Sequence, residues 1–125
     1  MAVPDIEVRR VYSDPTGRRG EYRVLVDRLW PRGVSKDDIR IDEWAVGVAP
    51  SAELRRWYGH EPARFEEFSK RYRAELRRQP AAGAVAAVRE AARGRTVLVL
   101  LTATKDVDRS GATVLAGHMR RAGAT

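Results

Sequence analysis

Val24-Leu25-Val26-Asp27-Arg28-Leu29-Trp30-Pro31-Arg32-Gly33 is the stretch that decides how this chain is read. Its first three residues are apolar without alternation, the pattern of a strand buried on both faces. The next seven are charged, aromatic and proline-locked. A buried strand that runs straight into Asp27, Arg28, Trp30 and Arg32 costs free energy unless those groups find partners or a ligand. Pro31 fixes its own φ and biases Trp30 toward an extended backbone. Gly33 can take a positive φ. The segment therefore predicts a strand that delivers two guanidinium groups into a loop held in one shape. That suits an anion and does not by itself name a reaction.

Outward from this stretch, a second unbroken apolar run, Val97 to Leu101, predicts another buried strand within Arg95 to Thr102. Ile6, Val8 and Tyr12 share one parity, so Ile6 to Tyr12 reads as a strand, and Tyr22 to Arg28 contains the strand already described. Asp14 to Gly20 is rich in turn residues. Ser35 to Arg40 reads as a short helical turn capped by Ser35, and Ile41 to Val48 as extended. Ser51, with Glu53 after it, is a helix start. That helix runs to about Tyr58 and stops at Gly59. Pro62 opens the next, whose Phe65, Phe68, Tyr72 and Leu76 form one apolar stripe. Glu66 with Lys70, and Glu67 with Arg71, are pairs four apart on its wet face. Ala81 to Ala92 is a small-residue helix closed by Gly94. Asp108 is the expected cap of a last helix from Arg109 to about Arg121. The order predicts one α/β domain over residues 1–125, with a small mixed or parallel sheet and about four to five helices.

Composition bounds the function. A chain of 125 residues that is 43% apolar and 33% charged fits one globular domain with a single core. No apolar run is long enough to cross a bilayer, so no membrane partner is expected. The N-terminus lacks the pattern of a signal peptide, and a cytoplasmic location is the expectation. The absence of cysteine excludes disulfides, thiolate nucleophiles and Cys-based metal sites. Two isolated histidines without a spaced carboxylate set give no transition-metal pattern. Nor is there a Walker loop, a dinucleotide glycine pattern or a nucleophile elbow, so neither metal nor cofactor is expected. The net charge of +7 comes from 24 basic residues, 21 of them arginine, against 17 acidic ones. With Ala, Gly and Val also abundant, that skew resembles GC-rich coding. The surplus is dispersed until residues 81–125.

In open α/β sheets, ligands bind beyond the carboxyl ends of the strands. Both apolar strands here are followed by polar loops. If the strands are parallel neighbours, Asp27, Arg28, Trp30, Arg32 and Lys36 converge with Thr102, Thr104, Lys105 and Asp106. Ser51 and Arg55, at a third helix start, can join the same rim. Arg forks, Lys point charges and helix amides together suit an anion. Arg28, Trp30, Arg32, Lys36, Ser51, Arg55 and Lys105 are the candidate ligand contacts. Asp27 is the candidate acid, base or orienter. Each has a plainer role: an Asp27–arginine ion pair, core tryptophans, Ser51 as a helix cap only. The expected function is a pocket for a phosphorylated or carboxylated small molecule or a nucleotide. The alternative is a basic nucleic-acid-associated module, suggested by the net charge and by Arg56-Trp57-Tyr58 and Arg71-Tyr72-Arg73. The oligomeric state is not legible.

Arg10-Val11-Tyr12, Leu25 through Gly33, Pro50-Ser51-Ala52-Glu53-Leu54-Arg55, Phe68, Tyr72, Glu75-Leu76 and Thr102-Ala103-Thr104-Lys105-Asp106 together resemble the YeaO-like branch of the domain of unknown function 488 family. The similarity spans roughly residues 7 to 121. The resemblance implies a compact α/β domain and no particular activity. A longer branch of the family is similar at both loops and begins its last helix with a Cys-His-Arg run. This chain has Asp108-Arg109-Ser110-Gly111 there, so thiol or imidazole chemistry at that position does not carry over.

Overall fold

The computed structural model describes residues 4–123. Four strands, β1 (Asp5–Arg10), β2 (Glu21–Leu25), β3 (Glu43–Trp44) and β4 (Val97–Thr102), form one sheet in the order β1-β4-β2-β3. Every pairing is parallel, which selects between the two sheet types left open by the sequence. The four α-helices are α1 (Ala52–Tyr58), α2 (Phe65–Leu76), α3 (Ala81–Ala91) and α4 (Gly111–Gly123), supplemented by 3-10 turns at Val46–Val48, Pro62–Arg64 and Val107–Arg109. Among the described residues, no helix is long and apolar enough to cross a membrane.

The two apolar runs lie side by side at the centre of the sheet, as their burial on both faces requires. Val24, Leu25, Val99, Leu100 and Leu101 are wholly inaccessible to solvent. One face, with Val24, Leu98 and Leu100, packs against all four helices through Leu54, Tyr58, Phe68, Tyr72, Val85, Val88, Leu115 and Met119. The α2 stripe read from its spacing is the part of that helix turned inward. Tyr58 stacks on Phe68 with ring centres 4.2 Å apart. Each fully buried aliphatic or aromatic side chain here contributes about 1.5–3 kcal/mol of transfer free energy. Among the described residues, no helix covers the opposite face. Leu25, Val99 and Leu101 are covered by Val11, Ile39, Trp30, Val34 and Ile41, all from loops.

Some local expectations give way to side-chain competition. The short turn read at 35–40 is present at 36–38, where the Ser35 carbonyl accepts from the Asp38 N–H at 3.1 Å, but the closing side chain is Asp38, whose carboxylate accepts from the Ser35 N–H at 3.2 Å, and not Ser35. Only Glu43–Trp44 of the stretch 41–48 is strand, and a 3-10 turn follows. The last helix starts at Gly111 rather than Arg109, and its cap is Ser110 rather than Asp108. Ser110 Oγ accepts from the Thr113 N–H at 3.3 Å, while residues 107–109 form a 3-10 turn. Of the two pairs expected on α2, Arg71 with Glu67 forms at 2.9 Å, and Glu66 with Lys70 makes no bridge.

The loop-covered face of β1 and β2 carries a charge network that the sequence did not disclose. Arg23, wholly buried, donates from Nε to the Arg40 carbonyl at 2.7 Å and from Nη1 to Asp14 at 3.2 Å. It also donates to the Asp14 carbonyl. Arg9 reaches Asp14 at 2.6 Å and the buried Glu21 at 2.8 Å. Hydrogen bonds from Arg9 are the largest influence holding the Asp14 and Glu21 carboxyls below their ordinary range, against the opposing effect of burial.

Candidate functional site

Because β2 and β4 are parallel neighbours, the loops after them emerge together at the carboxyl edge of the sheet. They open onto a cleft of about 840 Å³ whose lining includes Asp27, Arg28, Trp30, Arg32, Arg55, His60 and Lys105. Of the eight residues singled out from the sequence, six line this cleft. Lys36 and Ser51 do not. Lys36 lies in the exposed turn after the loop. Ser51 is held away by Glu75, which accepts from its N–H at 2.9 Å and its hydroxyl at 2.7 Å. Ser51 Oγ in turn accepts from the Leu54 N–H at 3.1 Å, so it acts as the cap of α1.

Asp27 ties the two loops together. Its Oδ1 accepts from the Thr102 hydroxyl at 2.7 Å and its Oδ2 from the Ala103 N–H at 2.8 Å. Burial pushes its carboxyl above the ordinary aspartate value; those two donors and the charge of His60 pull it back. Among the described residues, no Lys, Arg or His lies within salt-bridge distance of it, so the Asp27–arginine pair is not formed.

The loop 27–34 is fixed at several points. Trp44 Nε1 donates to the Asp27 carbonyl at 2.8 Å, and Trp30 Nε1 to the Val34 carbonyl at 2.7 Å. The two indoles meet edge to face at 5.4 Å. Arg28 Nε donates to the Pro50 carbonyl at 3.1 Å, joining the loop to the start of α1. The Tyr12 hydroxyl donates to the Arg32 carbonyl at 2.9 Å, and the Arg10 guanidinium sits 4.8 Å above the Tyr12 ring. Gly33 has φ of +76° in the turn between Pro31 and Val34, and a Cβ there would touch nothing. Backbone conformation, not space, is what calls for glycine at that position.

These ties use main-chain carbonyls and leave the outer charges free. Arg32, Arg55 and Lys105 are exposed, and their side chains form neither a hydrogen bond nor a salt bridge among the described residues. Asp106, also in the lining, pairs with Arg109 at 3.0 Å. The rest of the lining is largely apolar: Val26, Pro31, Tyr58 and Phe68 are buried, Trp30 is half-buried and Leu29 is exposed. Tyr12, Tyr58 and His60 were not picked out as site residues from the sequence. Tyr12 and Tyr58 read there as strand and helix positions, and His60 as a residue following a helix end. The positive φ of Gly59 and of His60, +54° and +57°, turns the chain so that the imidazole reaches the lining. For a residue with a Cβ, that conformation is uncommon.

Ser110 stands where the longer branch was expected to carry its Cys-His run. Its hydroxyl donates to the Val107 carbonyl at 2.7 Å and accepts from Thr113 N–H, so its proton is not directed at the cleft. The cleft thus offers cations, a carboxylate and aromatic walls, with no nucleophile paired to a base.

Comparison with known proteins gives a consistent result. Residues 5–124 match a family model described as the inactive DUF488-N3 subclade. Uncharacterised proteins of Mycobacterium tuberculosis and Mycobacterium bovis are each 50% identical over 111 residues, covering 89% of this chain and 90% of each relative. The uncharacterised protein YeaO of Escherichia coli is 39% identical over 116 residues, covering 93% of this chain and 97% of its own. No solved structure gives a significant match.

Proposed function

The chain belongs to the inactive DUF488-N3 subclade, the YeaO-like branch of its family, and from that premise we propose that its cleft binds a small anionic ligand without turning it over. The ligand class is a phosphorylated or carboxylated small molecule, or a nucleotide. The observation that carries this reading is the gathering of Arg32, Arg55 and Lys105, all without carboxylate partners, along one cleft at the carboxyl edge of a parallel sheet. Uncompensated cations on one rim raise the local concentration of anions and supply charge-assisted hydrogen bonds. The word inactive in the family description and the committed hydroxyl of Ser110 both favour binding over catalysis.

A thermal-shift titration tests it, with phosphate, sulfate, sugar phosphates and nucleotides on wild type and Arg32→Ala. A ligand at 100 times its dissociation constant stabilises the native state by about 2.7 kcal/mol, a rise of several degrees for a domain of this size. The expected result is a saturable rise in wild type that is reduced in the variant. Identical curves for the two proteins would remove the cleft from consideration.

A second reading, a nucleic-acid-associated module, draws on another surface. His118 on α4 is held below the ordinary histidine value first by burial and then by the charges of Arg77, Arg89, Arg121 and Arg73. None of those four arginines bridges a carboxylate among the described residues. An oligonucleotide titration separates the readings. Tight binding with a steep salt slope favours the module; weak binding that vanishes near about 0.15 M salt reflects bulk charge alone.

A further inference from the structure

The cleft keeps its charges apart. Its cations without partners, Arg32, Arg55 and Lys105, are exposed, whereas Asp27 is partly buried at the junction of the two loops with no cation in bridging range. A ligand that was only an anion would meet attraction from those cations and repulsion from Asp27. Complementarity therefore calls for a ligand of two ends: negative charge toward the cations, hydrogen-bond donors toward Asp27.

The donors can be specified further. An ionised carboxylate has about four lone-pair positions. Thr102 and Ala103 donate to different oxygens of Asp27, which fixes the plane of the group and leaves acceptor capacity on both. Two adjacent N–H donors on one rigid edge match such a pair of oxygens. Between the charged groups the lining is largely apolar, with the half-buried indole of Trp30 and the exposed Leu29 as its accessible parts, which suits a flat ring better than a flexible amine. Guanine is the common nucleobase that presents adjacent N–H donors, N1–H and the 2-amino group, along one edge. Adenine presents an acceptor beside its amino group.

Resting on the anion-binding reading above, we propose that the cleft recognises a guanine nucleotide, its base edge on Asp27 and its phosphate on Arg32, Arg55 and Lys105. No covalent step is involved, and Asp27 acts as a recognition group.

Isothermal titration with guanosine 5′-monophosphate, adenosine 5′-monophosphate and ribose 5-phosphate tests this on wild type, Asp27→Asn and Arg32→Ala. Wild type is expected to bind the guanine nucleotide at least about tenfold more tightly than the other two, the scale of one well-placed charged hydrogen-bond pair. Asp27→Asn should bring the three affinities within about threefold while holding ribose 5-phosphate as well as wild type or better, because the repelling charge is gone. Arg32→Ala should weaken all three in parallel. The proposal is overturned if wild type binds all three within about twofold, or if Asp27→Asn retains the preference. Should Asp27→Asn not fold, the wild-type ratios decide alone. If ribose 5-phosphate binds wild type saturably and the guanine nucleotide binds no better, the base recognition fails and the anion pocket stands. If none of the three binds, both readings fall.

Discussion

The loop-covered face of the sheet and its carboxyl edge use the same residue types in opposite ways. On the loop-covered face, Arg9, Asp14, Glu21 and Arg23 are close-packed and mutually satisfied, with Arg23 and Glu21 both buried. At the carboxyl ends, Asp27 and the cations Arg32, Arg55 and Lys105 share a cleft without touching. A charge buried among partners is held there by the cost of removing any one of them. A charge left unpartnered at a rim contributes little to folding and stays available to a ligand. Net charge does not distinguish the two arrangements; pairing does.

The comparison breaks if stability does not follow pairing. Arg23→Ala removes the buried donor of Asp14 and of the Arg40 carbonyl, leaving Arg9 alone to serve the carboxylates, and should cost about 3–5 kcal/mol in urea unfolding, the range for disrupting a buried pair from one side. A loss below about 1 kcal/mol would mean that the network on the loop-covered face is no more structural than the cleft.

Ser51 sharpens the contrast, because sequence reasoning put it in the site while the structure gives it to Glu75. Glu75→Ala should destabilise by about 1–2 kcal/mol, as for loss of a cap and its hydrogen bonds, and leave ligand affinity unchanged. A change in affinity with stability intact would return Ser51 to the cleft.

Acid should act on the two regions with opposite sign. Asp14 and Glu21 have lowered values in the folded state. Their contribution to stability is full above the ordinary carboxylate range, about pH 4, and is lost as pH falls through the lowered values. Asp27 has a raised value, so its contribution is full below the ordinary aspartate value and is lost as pH rises through the folded value. Asp27→Asn removes only the second effect. Relative to wild type, the variant should therefore lose further stability as pH is lowered from 7 to 3 in a series of denaturation curves. A gap that narrows instead would contradict the assigned direction.

The smallest effect is expected for the rim. Arg32→Ala, Arg55→Ala and Lys105→Ala should each unfold within about 0.5 kcal/mol of wild type, as surface substitutions away from any partner do.

The legible part of the fold was that set by apolar runs. Val24–Val26 and Val97–Leu101 are unbroken because both faces are covered, and both end in polar loops. The convergence of Asp27, Arg28, Arg32 and Lys105 followed only on the condition that the two strands are parallel neighbours, which they are. What stayed hidden depends on contacts between distant segments. Arg23 sits in a strand like any polar residue until Asp14 and the Arg40 carbonyl close around it. Lys36 was drawn toward the site by its nearness in sequence to Gly33, but the turn at 36–38 carries it elsewhere. Asp108 lost the α4 cap because a 3-10 turn occupies its position and Ser110 lies next to the first helical residue. His60 reaches the cleft through two successive left-handed residues, of which only Gly59 left a mark in the sequence.

The most direct test joins the two halves of the comparison in one protein. Arg32→Ala would be melted with and without saturating ribose 5-phosphate, beside wild type. The account predicts that the unliganded melting temperature equals that of wild type while the ligand-induced rise is reduced. A variant that melts several degrees lower without ligand, or that keeps the full rise with it, would show that Arg32 belongs with the structural charges after all.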